Sequence, residues 1–250
     1  MTLMDSYFNE IVFYLQEIME TERSNINEAA HIVAEHIKDD KIVFVYGPGG
    51  HSNLAAQEVF FRAGGLMHFS AILDQGTLLS SGALRSMAIE RTPGYGNIVI
   101  DDYHLQKDDL LIITNAYGIN TATIDAVLEA KKRNVKTIGI SSHEHAENTP
   151  FNHPARHPSK QNLHDLTDVS IDSKVKVGDA VLEIEGQEQK IGAISTFTNA
   201  FILNSISNEA IKKLAEENIQ PPIWKSGNAT GGDEWNAQFI KQFKGRIKNL

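Results

Sequence analysis

Between residues 4 and 22, apolar side chains recur at three- and four-residue spacing. Phe8, Ile11, Val12, Leu15, Ile18 and Met19 fall on one stripe of a helix. A second amphipathic helix is predicted over 27–37, with Ala30, Val33, Ala34 and Ile37 inward and Ser24 or Asn25 placed to cap its start. After Lys41 the pattern changes: the run IVFVY is apolar on both faces, as a parallel strand covered by helices on each side must be. LMHFSAILD (66–74), DLLIIT (109–114), VKTIGIS (135–141) and DVSID (168–172) read as further strands, and a helix fits 120–133 with Ile124, Val127, Leu128 and Lys131 in register. This alternation predicts an α/β three-layer sandwich around a parallel five-stranded sheet, whose ligands bind beyond the carboxyl ends of the strands. DAVLEIEGQEQKI breaks the rhythm and predicts a hairpin near 180–191, turning around Glu185 and Gly186. A long helix over 192–217 is stopped by Pro221 and Pro222. No linker divides the chain, so one domain is expected over 1–250: a helical arm (1–40), a core (41–220) and a C-terminal helical extension (221–250).

Composition narrows the function. The chain of 250 residues is 41% hydrophobic, which suffices for one substantial core. No run approaches the ~18 apolar residues of a membrane span. The N-terminus carries acids where a signal peptide carries bases, so a cytoplasmic protein with no membrane partner is expected. A net charge of −9 disfavours a nucleic-acid partner, which requires clustered Lys and Arg. With no cysteine, disulfides, thiolate metal sites and a cysteine nucleophile are excluded.

The chemistry is expected at the break GPGGHS, residues 47–52, between the first strand and the helix that follows it. A strand, a glycine loop and a helix start form an anion site, because backbone N–H groups there point at negative charge. His51 stands where a Walker loop has lysine, which argues against nucleotide triphosphate hydrolysis. A dinucleotide loop fits Gly47, Gly49 and Asp74 only in part, since Ser52 replaces the third glycine. The third reading uses the strand-to-helix turn of residues 114–121 as well, which repeats the design with hydroxyls and amides. Gly49, Gly50, Ser52, Thr114, Asn115, Asn120 and Thr121 would then surround one phosphate carried on a small polyol. The competing explanation is that Ser52, Thr114 and Asn120 only cap helices.

These two loops, with FFRAGGL, ERTPGYG, GINTATIDAVLEAKK, RHPSKQNLHDLTDV, STFTNAFILN and PPIWKSGNATGGDEWN, resemble SIS domains, the sugar-isomerase fold. Within that group the chain is most similar to bacterial proteins labelled sugar or phosphoheptose isomerases. The resemblance implies a flavodoxin-like sandwich, a sugar-phosphate ligand, and a homodimer or tetramer with sites beside a subunit interface. Two departures stand out: an extra glycine in the first loop, and Ala116-Tyr117 where the family's second loop carries a hydroxyl. The zinc histidine of phosphoheptose isomerases is replaced by about Gln57, so neither metal nor cofactor is expected.

Aldose–ketose isomerisation moves a proton between adjacent carbons through an enediol and needs a base near both. Glu58, on the helix after the first loop, Glu90 in ERTPGYG, His51 in the loop itself and His157 in RHPSK are the candidate catalytic residues. His143, His145 and His153 share the loop that carries His157; a metal site there is the sharper reading and solvated side chains the plainer one. A phosphosugar-sensing regulator without turnover is the alternative to an isomerase.

Overall fold

The computed structural model describes residues 2–250. Two helices, α1 (Leu3–Thr21) and α2 (Arg23–Lys38), precede β1 (Val43–Tyr46). Then follow α3 (Ser52–Val59), β2 (Phe69–Ile72), a 3₁₀ turn at Leu79–Ser81, α4 (Ala83–Glu90), α5 (Tyr95–Asp102) and β3 (Leu110–Thr114). The second half contains α6 (Thr121–Lys132), β4 (Lys136–Ser141), α7 (His143–Asn148), α8 (Leu163–Leu166) and β5 (Val169–Asp172). It continues through β6 (Ala180–Leu182), β7 (Ile191–Ala193), α9 (Ser195–Glu216) and α10 (Gly232–Phe243).

The five long strands form one parallel sheet in the order β2-β1-β3-β4-β5, as the two-faced apolar runs require. Alternation along the strands sorts their side chains between two helical layers. Val43, Val45, Leu110 and Ile112 pack with α2, α3 and α9, whereas Tyr46, Leu111 and Ile113 pack with α5 and α6. A third cluster, Met67, Trp224, Phe243 and Ile247, lies under the C-terminal extension. That extension also takes over part of the predicted second strand: Leu66 and Met67 pair with Ile223 and Pro222, so β2 begins only at Phe69.

Two further boundaries differ from expectation. Ser24 and Asn25 do not cap α2, because the helix already starts at Arg23, directly after the buried Glu22. The Glu22 carboxylate reaches away, accepting from Asn25 Nδ2 at 2.8 Å and pairing with Lys174 Nζ at 3.1 Å, which ties the helical arm to the edge strand β5. The long helix begins at Ser195, not 192, since Ile191–Ala193 pair antiparallel with β6 to form the hairpin.

Candidate functional site

In this strand order the chain leaves β1 for the sheet's β2 edge and resumes on the other side at β3, so a crevice opens between the carboxyl ends of β1 and β3. Both polar turns empty into it. In the first, Gly47 is obligatory, because a Cβ there would lie 2.0 Å from the Ser52 carbonyl oxygen. Gly49 sits at φ +89°, and its missing side chain leaves room for the Glu90 carboxyl, which a Cβ would meet at 2.4 Å. The Gly50, His51 and Ser52 N–H groups have no acceptor among the described residues.

Asn115 ties the second turn to the first. Its Nδ2 donates to the Pro48 carbonyl at 3.2 Å and to Ser52 Oγ at 3.4 Å. Its Oδ1 accepts the N–H groups of Tyr117 and Gly118 at 3.1 and 2.8 Å. Beyond this self-satisfied turn, α6 starts at Thr121 with no side-chain cap.

Two of the helices that begin at this end of the sheet are capped by side chains. Ser142 Oγ accepts the His145 N–H at the start of α7, and the Asp179 carboxylate accepts the Ile194 and Ser195 N–H groups at the start of α9. Neither α3 nor α6 has any side-chain oxygen in that role. Capping therefore does not account for Ser52, Thr114 or Asn120. Thr114 belongs to β3, and the Thr114 hydroxyl and the Asn120 side-chain Oδ1 are buried without a partner. Buried polar atoms of this kind are expensive to leave unpaired. The open N–H groups carry the positive end of two helix dipoles, so the crevice is suited to an anion.

Glu90 ends α4 beside Gly49 and Asn115. Burial pushes its carboxyl up to about 7, against the weaker pull of Arg91 and the Asn115 amide. Such a group exists in both protonation states near neutral pH, which suits proton transfer. Nearby, the Tyr95 hydroxyl donates to both Asp74 carboxylate oxygens at 3.0 Å, and burial together with Asp74 pushes the phenol up to about 12.

The other candidates lie apart from this constellation or are held by structural contacts. Glu58, in the last turn of α3, pairs with Arg62 Nε at 3.3 Å and accepts from Asn204 on α9 at 3.4 Å. His157 has both ring nitrogens engaged: Nδ1 accepts the Ser159 N–H at 3.0 Å, so Nε2 carries the proton and donates to Asp125 at 3.1 Å. Asp125 also accepts the Gly94 N–H at 2.7 Å, joining the ERTPGYG turn to RHPSK. His51 precedes α3 and lines a cleft of about 390 Å³ on the β2 side of the first turn. The loop histidines do not converge. His143 Nε2 meets Ser170 Oγ at 2.9 Å, His153 Nδ1 accepts the Ala155 N–H, and His145 stacks on Tyr117 at 3.6 Å. Burial, with His153 and Arg156 nearby, drives His145 down to about 4.

Sequence reasoning missed Asp125, Asp179 and Asn53. Asp179 lies far before the helix it caps, and nothing local marks it. Asn53 follows Ser52 directly; its Nδ2 donates to the carbonyls of Gly49 and Thr77, leaving Oδ1 buried and unpaired.

The family profile of the SIS domain matches residues 6–142. The chain belongs to the SIS-domain family. An UPF0309 protein of Caldanaerobacter subterraneus is 37% identical over 251 residues, spanning 99% of this chain and 100% of the relative. One of Halalkalibacterium halodurans is 36% identical across 99% of this chain and 97% of its own. Among solved structures, a phosphoheptose isomerase of Neisseria gonorrhoeae superposes with TM-score 0.53 at 13% identity, covering 84% of this chain and 100% of that one. Vibrio vulnificus NanR, solved with ManNAc-6P, gives 0.50 at 13% identity over 97% of this chain and 70% of its own. These two likenesses establish that this SIS domain shares their fold. Among the described residues, no helix is long and apolar enough to cross a membrane.

Proposed function

We propose that this SIS domain binds a sugar phosphate at the crevice between β1 and β3 and isomerises it between aldose and ketose through an enediol. The observation that carries the binding is the run of open N–H groups at Gly50, His51 and Ser52, which faces the crevice beside the uncapped start of α6. The Gly50, His51 and Ser52 N–H groups would hold the phosphate, with Thr121 at the start of α6 completing the cradle. Membership of the SIS family and the ManNAc-6P complex of Vibrio vulnificus NanR, a protein with the same fold, support this ligand class. Glu90 would move the proton between C1 and C2, its ionisation near neutrality allowing it both to accept and to return that proton. The test is incubation in deuterium oxide with hexose, heptose and amino-sugar phosphates. Deuterium uptake at C1 or C2 is expected, and binding without uptake defeats the enzyme reading.

The regulatory reading draws on the second turn. Tyr117, the bulky residue that with Ala116 departs from the family's second loop, stacks on His145, and its N–H is taken by Asn115. A turn closed in this way serves a sensor as well as an enzyme, and the deuterium experiment separates the two. A homo-oligomer accompanies either reading: Met4, Phe8 and Phe13 on α1 are 77%, 64% and 56% exposed, an apolar face that a second copy would cover. Sedimentation equilibrium at micromolar concentration checks it, and a 27.7 kDa species alone overturns it.

A further inference from the structure

We infer that the cleft beside the first turn receives an N-acyl group, so that the ligand is the phosphate of an N-acylated amino sugar. The inference rests on the phosphate reading of the first turn and specifies the substrate class. The cleft has a volume of about 390 Å³, and Gly50 and His51 belong both to it and to the anion turn. A ligand held there by its phosphate has the cleft within reach.

The lining has a distinct chemistry. It contains no Asp, Glu, Lys or Arg; its polar members are amides, a serine hydroxyl and His51. A charged substituent would enter it without a counter-ion, at a desolvation cost that an uncharged one avoids. Asn53, 1% exposed, supplies the acceptor. Because its Nδ2 is committed to two backbone carbonyls, the unpaired atom is the oxygen, which fits an amide N–H. Gln57 and Gln75 bring donors for the acyl carbonyl, and Leu78 and Leu79 bring an apolar wall for its methyl. Leu79 stands over the turn itself: a Cβ on Gly50 would lie 3.5 Å from its Cδ2. An amide with a small alkyl end matches this lining better than a hydroxyl, which leaves the leucines unused, or an ammonium, which finds no carboxylate.

The test compares the 2-hydroxy, 2-amino and 2-acetamido forms of a hexose 6-phosphate, in both gluco and manno configurations, by titration calorimetry against the full chain. The acetamido form of at least one configuration is expected to bind tenfold or more tightly than its hydroxy parent, with the amino form weakest. Leu79→Gln, at a position 41% exposed where folding is not at stake, should bring the acetamido-to-hydroxy ratio below threefold. Equal affinity for acetamido and hydroxy forms in both configurations overturns the inference and leaves the phosphate reading standing. Failure of every phosphosugar to bind overturns both.

Discussion

The two strand-to-helix turns at the crevice have the same plan and opposite outcomes. Each leaves a buried strand, passes through a glycine with positive φ and opens a helix without a side-chain cap. In the first, the glycines leave consecutive N–H groups open. In the second, one asparagine folds back and consumes the corresponding donors at Tyr117 and Gly118. Hydrogen-bonding residues in a turn therefore do not by themselves make a binding site; what matters is whether the turn already satisfies them. By that measure the first turn and the bare start of α6 are the anion-facing elements, and Asn115 is the strut that holds them in register.

The largest effect should follow from Glu90→Gln, which leaves the shape of the crevice intact and removes its one titratable proton carrier beside Gly49. Deuterium exchange should fall by about 10²–10⁴-fold, with phosphosugar binding retained. Stability should move the other way. Glu90 ionises at about 7 in the folded protein against 4.5 unfolded, so its contribution is complete below the unfolded value and is lost as pH rises through 7. The glutamine variant should therefore match the parent near pH 4 and exceed it by about 2–3 kcal/mol at pH 8, read by denaturant melts at both pH values. A pH-independent difference would mean that the carboxyl is not desolvated as described.

Asn115→Ala tests the strut. Asn115 is 3% exposed, and its loss leaves the Pro48 carbonyl and the Tyr117 and Gly118 N–H groups without their partner. A cost of about 2–4 kcal/mol is expected, lowering the melting temperature by roughly 5–15 °C and removing the phosphosugar-induced shift with it. If stability falls while the shift survives, the first turn needs no support from the second and the contrast between them loses its functional meaning.

The sheet was legible because burial on both faces writes an unbroken apolar run, and the same period placed α1, α2 and α6 within a few residues. Helices α4 and α5 were not read. Their residues mix glycine and exposed apolar side chains such as Leu84 and Ile98, so the period that marks a buried face is weak. At the site, Gly49, Ser52, Asn115 and Glu90 were all named from turn chemistry, and they meet in space. What sequence could not convey was which donors are already spent. His157 lies in a polar loop that looks free until Asp125, on another element, is seen to hold it. The capping of α9 by Asp179 is equally long-range and equally silent in the local pattern.

The smallest and most selective effect belongs to Ser52→Ala. Ser52 is the first residue of α3 and not its cap, is buried, and is held only by a long 3.4 Å contact from Asn115. Removing the hydroxyl takes away little that the unliganded protein uses, so apo stability should change by no more than about 0.5 kcal/mol. The liganded protein should respond differently. A phosphosugar at 100 times its dissociation constant adds about 2.7 kcal/mol of stability to the parent, a rise of roughly 5–11 °C. A hydroxyl donating to a charged phosphate contributes about 1.5–3 kcal/mol, which weakens binding roughly 10- to 100-fold when it is lost. At the same ligand concentration the stabilisation should then fall to about half or less. Scanning calorimetry of both proteins, with and without ligand, reads the two quantities together. A full ligand-induced shift in the variant would remove Ser52 from the cradle and leave the phosphate to the backbone N–H groups alone.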